Sequence, residues 1–213
     1  MKVSFFIKKI IYILKNLNGF YLPGNFIRLF AFFFVKGEIT ILEWDLLYNL
    51  ALKVKKECLV EIGSFKGKST IALALGAKKR KLPIFAIDPH ENYIENKDRE
   101  FDASSRTHFY KNMLLFNISK NVSLINLTSE NAVKCWNKKI SLLWIDGDHK
   151  YKKVLKDFQL WKKYVIKNGL IIFHDSVALG LGPTRVVKQA LNSKKYKKIK
   201  QIDQTTVLQK ISE

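Results

Sequence analysis

Two periods alternate along the chain. Short apolar runs at Leu59–Ile62, Ile84–Ile87, Val122–Leu127, Ile140–Ile145 and Leu170–Phe173 have the length and composition of buried strands. Between them lie stretches of helical spacing: Ser69–Ala77, Thr107–Asn117, a helix with Ser129 as its N-cap that ends near Trp136, and Tyr151–Val165. The last has Val154, Leu155, Phe158, Trp161 and Val165 as its inner face. A helix over Glu38–Lys53, with Leu46, Leu47, Leu50 and Val54 on one side, leads into the first strand. Pro183 starts a final helix to about Leu191. Two alternating segments, Lys197–Ile202 and Thr206–Ile211, flank Asp203-Gln204 as a closing hairpin. A repeated β-α order followed by a hairpin predicts an α/β fold. Its sheet is open, mainly parallel and seven-stranded, with helices on both faces and an antiparallel C-terminal hairpin.

Two segments break this pattern. Residues 89–105 are polar and without apolar periodicity, and a loop of that length beside a sheet edge predicts a lid. Residues 1–37 mix Phe and Ile with Lys8, Lys9 and Lys15 as a basic amphipathic helix, then turn at Pro23-Gly24 into a second apolar piece, Phe26 to Val35. Neither piece reaches the roughly 20 apolar residues of a membrane span, and no small-residue cleavage site marks a secretion signal. The expectation is a 1–37 extension on a 38–213 domain. The extension either packs against protein, its own domain or a second subunit, or lies on the inner face of a membrane.

The charge sharpens the choice of partner without deciding it. Lys and Arg number 38 against 18 Asp and Glu, a formal net charge of +20, which favours anionic partners or marks a solvated Lys-rich face. Cys58 and Cys135 have no C-x-x-C spacing, so zinc and disulfide frameworks are excluded. Both are expected to be buried, reduced thiols of a cytoplasmic protein.

The chemistry gathers at strand ends. Leu59-Val60-Glu61-Ile62 runs into Gly63-Ser64-Phe65-Lys66-Gly67-Lys68-Ser69, a strand, a tight turn and a helix start. The spacing is one residue short of the phosphate loop G-x-x-x-x-G-K-[ST] and is not G-x-G-x-x-G. Asp88 ends the next strand, where an acid can accept both hydroxyls of a ribose. Glu61, Asp88, Asp146 and Asp175 are all expected at the carboxyl edge of the sheet. Four acids on one edge repel and so indicate a site.

The spacing E-x-G-x-x-x-G with the later Asp88 resembles the class I S-adenosylmethionine (SAM) methyltransferases, which have a Rossmann-like sheet. Asp146-Gly147-Asp148-His149-x-Tyr151 together with His174-Asp175 narrows the resemblance to small-molecule O-methyltransferases related to macrocin O-methyltransferase and the cephalosporin hydroxylase group, over roughly residues 38–191. The resemblance implies a SAM site built from Glu61, Gly63, Ser64, Gly67, Ser69, Asp88 and Asp146, with Ser129 and Glu130 near the adenine. It also implies a divalent metal, usually Mg²⁺, on Asp146 and Asp175, and His149 as base. The implied acceptor is a hydroxyl of a sugar-containing or other small molecule, and the basic–apolar segment 1–37 adds a lipid-linked or surface glycan precursor as a candidate. One departure stands out: Ser176 follows the second acid, where Asp or Asn is usual, which opens the alternative of a metal held partly by Asp148 or lost. In that alternative Asp146 and Asp175 only orient the cofactor and loops. His90 reads as a bystander and His174 as a strand-end cap. Alternative functions are an RNA methyltransferase, for which no N-P-P-[YF] tetrad is present, and a silent binding protein that keeps the fold.

Overall fold

A computed structural model describes residues 30–91, 93–94, 100–101 and 103–212. The amphipathic helix expected at 5–17, and the part of 26–35 before residue 30, lie outside the described residues, as does part of the 89–105 loop. Among the described residues no helix is long and apolar enough to cross a membrane.

In chain order the elements are α1 (Ile41–Lys53), β1 (Cys58–Ile62), α2 (Lys68–Ala77), β2 (Ile84–Ile87), β3 (Tyr93–Ile94), β4 (Glu100–Phe101), α3 (Ala103–Leu115), β5 (Val122–Ile125) and α4 (Ser129–Ala132). They continue with β6 (Ile140–Ile145), α5 (Tyr151–Trp161), β7 (Val165–Phe173), α6 (Gly182–Asn192), β8 (Tyr196–Ile202) and β9 (Thr205–Lys210). The main sheet is seven-stranded in the order β5-β2-β1-β6-β7-β9-β8. Its first five strands are parallel and the β8–β9 hairpin runs antiparallel, as the sequence predicts. The short β3–β4 pair forms a separate two-stranded ribbon within the segment expected to be a lid.

Strands buried on both faces explain the continuous apolar runs. Successive residues feed opposite layers. Leu59, Leu142, Trp144 and Ile172 join Trp44, Leu47, Ile71, Phe109 and Met113 on the α1–α2–α3 side. Val60, Leu143, Ile145, Ile171 and Phe173 join Phe158, Trp161 and Val186 on the α5–α6 side. Ala31, Val35 and Ile39 are buried in the first layer, so residues from 30 onward share the domain's core. Lys68 fastens the same segment, donating to the Gly37 carbonyl at 3.2 Å and lying 4.2 Å from the centre of the Phe32 ring.

Four expectations need correction. Helix α3 starts at Ala103 and not Thr107, because its first turn is polar and apolar periodicity begins only with Phe109. Helix α5 ends at Trp161. Val165, read as its last inner-face residue, instead opens β7 and pairs with Ile140. Helix α4 is capped by Thr128 rather than Ser129, the Thr128 hydroxyl accepting from the Asn131 N–H. Cys135 is exposed; Cys58 alone is buried, and burial pushes its thiol up to about 12.

Helices α1 and α2 touch closely at Gly76, where an added Cβ would stand 2.4 Å from the Tyr48 carbonyl oxygen. Gly76→Ala is expected to cost about 1–3 kcal/mol through overpacking. It should be read as a lower urea midpoint with an unchanged slope. An unchanged midpoint would show that α1 can move off α2 without loss.

Candidate active site

The parallel register sets the strand ends level. Ile62 lies beside Ile87 on one side and Ile145 on the other, and Ile145 lies beside Phe173. The next residues, Gly63, Asp88, Asp146 and His174, therefore emerge together at the carboxyl edge, each still bonded by its N–H to the neighbouring strand. They border a cleft of about 1480 Å³.

The glycine turn and Asp88 form one unit. Gly63 has φ 86°, and a Cβ there would lie 2.2 Å from the Asp146 carbonyl oxygen, so only glycine lets β1 turn this close to β6. One Asp88 carboxylate oxygen accepts the N–H groups of Ser64 (3.0 Å) and Phe65 (2.8 Å), and the other accepts the His90 N–H at 2.8 Å. Asn126 supports the same corner, donating to the Asp88 carbonyl at 3.0 Å. The buried Ser64 hydroxyl on the cleft wall has no partner among the described residues. Gly67, also at φ 86°, faces elsewhere: a Cβ would meet Met113 at 2.7 Å, so this glycine admits α3 rather than a ligand.

Glu61 departs from its expected place at the edge. It shares the Leu59 face of β1, points under α2, and is fully buried with its two oxygens bonded to the Ser69 and Thr70 hydroxyls. Burial pushes its carboxyl up to about 8, with the charges of Asp146 and Asp88 adding to the rise. It does not border the cleft, whereas Ser64, Ser69, Asp88 and Asp146 do.

The remaining acids meet around His174. Its Nδ1 lies 2.9 Å from Asp146 Oδ1 and 3.3 Å from Asp175 Oδ2, and its Nε2 lies 3.4 Å from Glu43 Oε2. Burial works against a charge on this ring, but the Asp146 carboxylate and the bonds to Asp175 and Glu43 prevail and push it up to about 12. Asp146 is raised by burial, with Asp175 adding to the rise. Asp175 is held well below the usual carboxylate range by its bonds to His149 and His174. Asp175 sits at φ 46°, a left-handed conformation that a short polar side chain tolerates, and its Oδ2 reaches His149 Nε2 at 2.8 Å. Gly182 lets the start of α6 lie against the His149 carbonyl, accepting no Cβ there: the contact would be 2.4 Å.

One donor atom from each of Asp146, His149 and Asp175 lies within 4.8 Å of the others. Two carboxylates and an imidazole at this spacing suit a divalent cation. Ser176 takes no part: its hydroxyl is buried and bonded to the Phe173 (2.9 Å) and Gln204 (3.2 Å) carbonyls. Asp148 is also outside the cluster, accepting the Lys150 N–H at 2.7 Å. Ser129 reaches the cleft wall but accepts from Trp161 Nε1 at 2.8 Å, and Glu130 pairs with Lys156 at 2.6 Å. His90, on the loop after β2, is buried with its Nδ1 2.6 Å from the Ser105 hydroxyl.

Sequence reasoning missed Glu43. Thr40 and Glu43 make a capping box, a T-x-x-E signal that was legible at the start of α1. The same buried carboxylate also accepts from the Gln204 N–H (3.1 Å) and the Thr205 hydroxyl (2.9 Å), which no local pattern announces.

Comparison with known proteins gives a family described as a methyltransferase domain, matched over residues 60–176. An uncharacterized protein, R132, of Acanthamoeba polyphaga mimivirus is 36% identical over 147 residues, 65% of this chain and 61% of that relative's length. The O-methyltransferase NovP is similar in fold at TM-score 0.66 and 13% identity, covering 82% of this chain and 81% of its own. An O-methyltransferase from Bacillus cereus, in complex with SAH, gives 0.63 at 13% identity, covering 82% and 83%.

The environment of Glu61 has a pH signature. From about 4.5 to about 8 the folded chain keeps a proton that the unfolded chain has lost, so stability falls as pH rises through that window. Glu61→Gln, neutral and similar in shape, is expected to remove this component. Denaturation midpoints near pH 5 and pH 8 read it; the same fall in the variant would show that Glu61 is ionised when folded.

Proposed function

The chain belongs to the methyltransferase domain family, and from that premise we propose that it is a SAM-dependent O-methyltransferase acting on a hydroxyl of a sugar-containing or other small molecule. The observation that carries this reading is the meeting, in one cleft, of a glycine turn gripped by Asp88 with the Asp146–His149–Asp175 cluster. O-methyl transfer by proteins of the same fold, one of them in complex with SAH, supports it.

The residues fit a SAM cofactor. Gly63 leaves space that a Cβ would close, Ser64 offers an unpartnered hydroxyl, and Asp88 faces the cleft with acceptor capacity beyond its three N–H bonds. When bound, SAM supplies an electrophilic methyl group. The residues also fit a divalent cation on Asp146 and Asp175, which when bound supplies Lewis acidity toward an acceptor hydroxyl. His149 is partly exposed at the cleft, where it can take the proton leaving that hydroxyl. Asp175 holds the ring at 2.8 Å and balances the positive charge the ring then gains. Glu43 and His174 fix Asp146 and Asp175 from behind. Phe32, Phe33 and Lys36 also line the cleft, so the segment before α1 contributes to acceptor choice.

Calorimetric titration with SAM is expected to give saturable binding that Asp88→Ala weakens at least about tenfold, or roughly 1.4 kcal/mol. His149→Ala is expected to leave that affinity unchanged and to lower kcat on a hydroxylated acceptor by about a hundredfold. Circular dichroism checks that both variants fold. No SAM binding by the intact chain would overturn the proposal.

A further inference from the structure

The other end of the sheet is charged in the opposite sense. Below the starts of β1, β6 and β7 lies a second cleft, of about 1080 Å³. Lys53, Lys55 and Lys56 line it where α1 leads into β1, Lys138 and Lys139 where β6 begins, and Lys163 and Lys167 around the start of β7. All seven are exposed, and Glu57 is the only acid among the lining residues. None of the seven has an ion-pair partner among the described residues, and Lys163 lies over the Tyr164 ring at 5.0 Å. Like charges brought together from three separate stretches of chain repel one another unless an anion joins them.

We propose that this cleft docks single-stranded nucleic acid through its phosphates. The concave shape, with lysines converging from three segments, suits a strand laid along it. An anionic bilayer presents its charges in a plane and is gripped by protruding apolar side chains, and the only large apolar side chain strongly exposed in the lining is Ile199. The lining holds no Arg, and its one aromatic ring, Tyr164, is half-buried under Lys163. Point charges without bidentate or stacking readers contact backbone and leave bases unread, so binding is tolerant of sequence. The five residues of β1 separate this cleft from the Asp146 cluster by about 16 Å of strand. The docked strand is thus held away from the active-site cleft, and the inference does not depend on methyl transfer.

The test uses the full chain and a fluorescent single-stranded RNA of about 20 nucleotides. A cleft triple, Lys56→Glu, Lys139→Glu and Lys163→Glu, is compared with a control triple of exposed lysines elsewhere, Lys111→Glu, Lys120→Glu and Lys188→Glu. Both change the net charge equally, and thermal melting confirms that both fold. The cleft triple is expected to lose at least about tenfold in affinity and to lower the slope of log K against log salt by about two, while the control changes little. Equal losses in both triples would reduce the effect to net charge and overturn the proposal. So would no RNA binding by the unaltered chain, or cleft-dependent binding to phosphatidylserine vesicles that exceeds binding to RNA.

Discussion

One imidazole holds the carboxyl edge of this molecule together. Glu43, Asp146 and Asp175 converge on His174 from α1, from the residue after β6 and from the second residue after β7. Three carboxylates this close, mostly withdrawn from water, repel strongly in a medium of low dielectric constant. A charged ring between them turns that repulsion into a set of charge-assisted bonds. The arrangement also explains why Glu43 sits so deep. It satisfies the first turn of α1, meets the ring, and accepts from Gln204 and Thr205 of the terminal hairpin. The first helix and the terminal hairpin are thereby locked to the site, and Gln204 of the hairpin also lines the cleft.

The neighbouring corner follows a different rule. There the fixed object is backbone: β1 must turn within van der Waals reach of β6, and Gly63 makes this possible. Asp88 then ties the turn by accepting its N–H groups. A glycine corner and a charged corner share one cleft, so two ligands held there would meet in a set orientation, which lowers the entropy cost of a reaction between them. At the far end of the same strands, lysines replace acids. Acids thus predominate in the lining at the carboxyl edge and lysines in the lining at the other end.

Much of this was legible in the sequence. Apolar runs and helical spacing are local, and they gave the order of strands and helices, the parallel sheet and the hairpin. The glycine turn was legible because a left-handed backbone restricts residue type at a single position. Asp88, Asp146 and Asp175 were legible because a strand's last residue is marked by the end of its apolar run. The errors were also local. The polar first turn of α3 hides its start, and Val165 fits the helical period of α5 as well as it fits β7.

Only the tertiary structure decided which side chains meet. Glu61 looked like a fourth edge acid, yet it shares the face of Leu59, and that parity sends it inward to Ser69 and Thr70. Ser176 stood out as a departure beside the second acid, and its hydroxyl is taken up by the Phe173 and Gln204 carbonyls. Glu43 reaches Thr205 across 162 positions, and the second cleft gathers lysines from Lys53 to Lys167. Periodicity records which side of an element faces inward. It does not record what lies opposite, because the partner is set by chain crossings that no window of sequence contains.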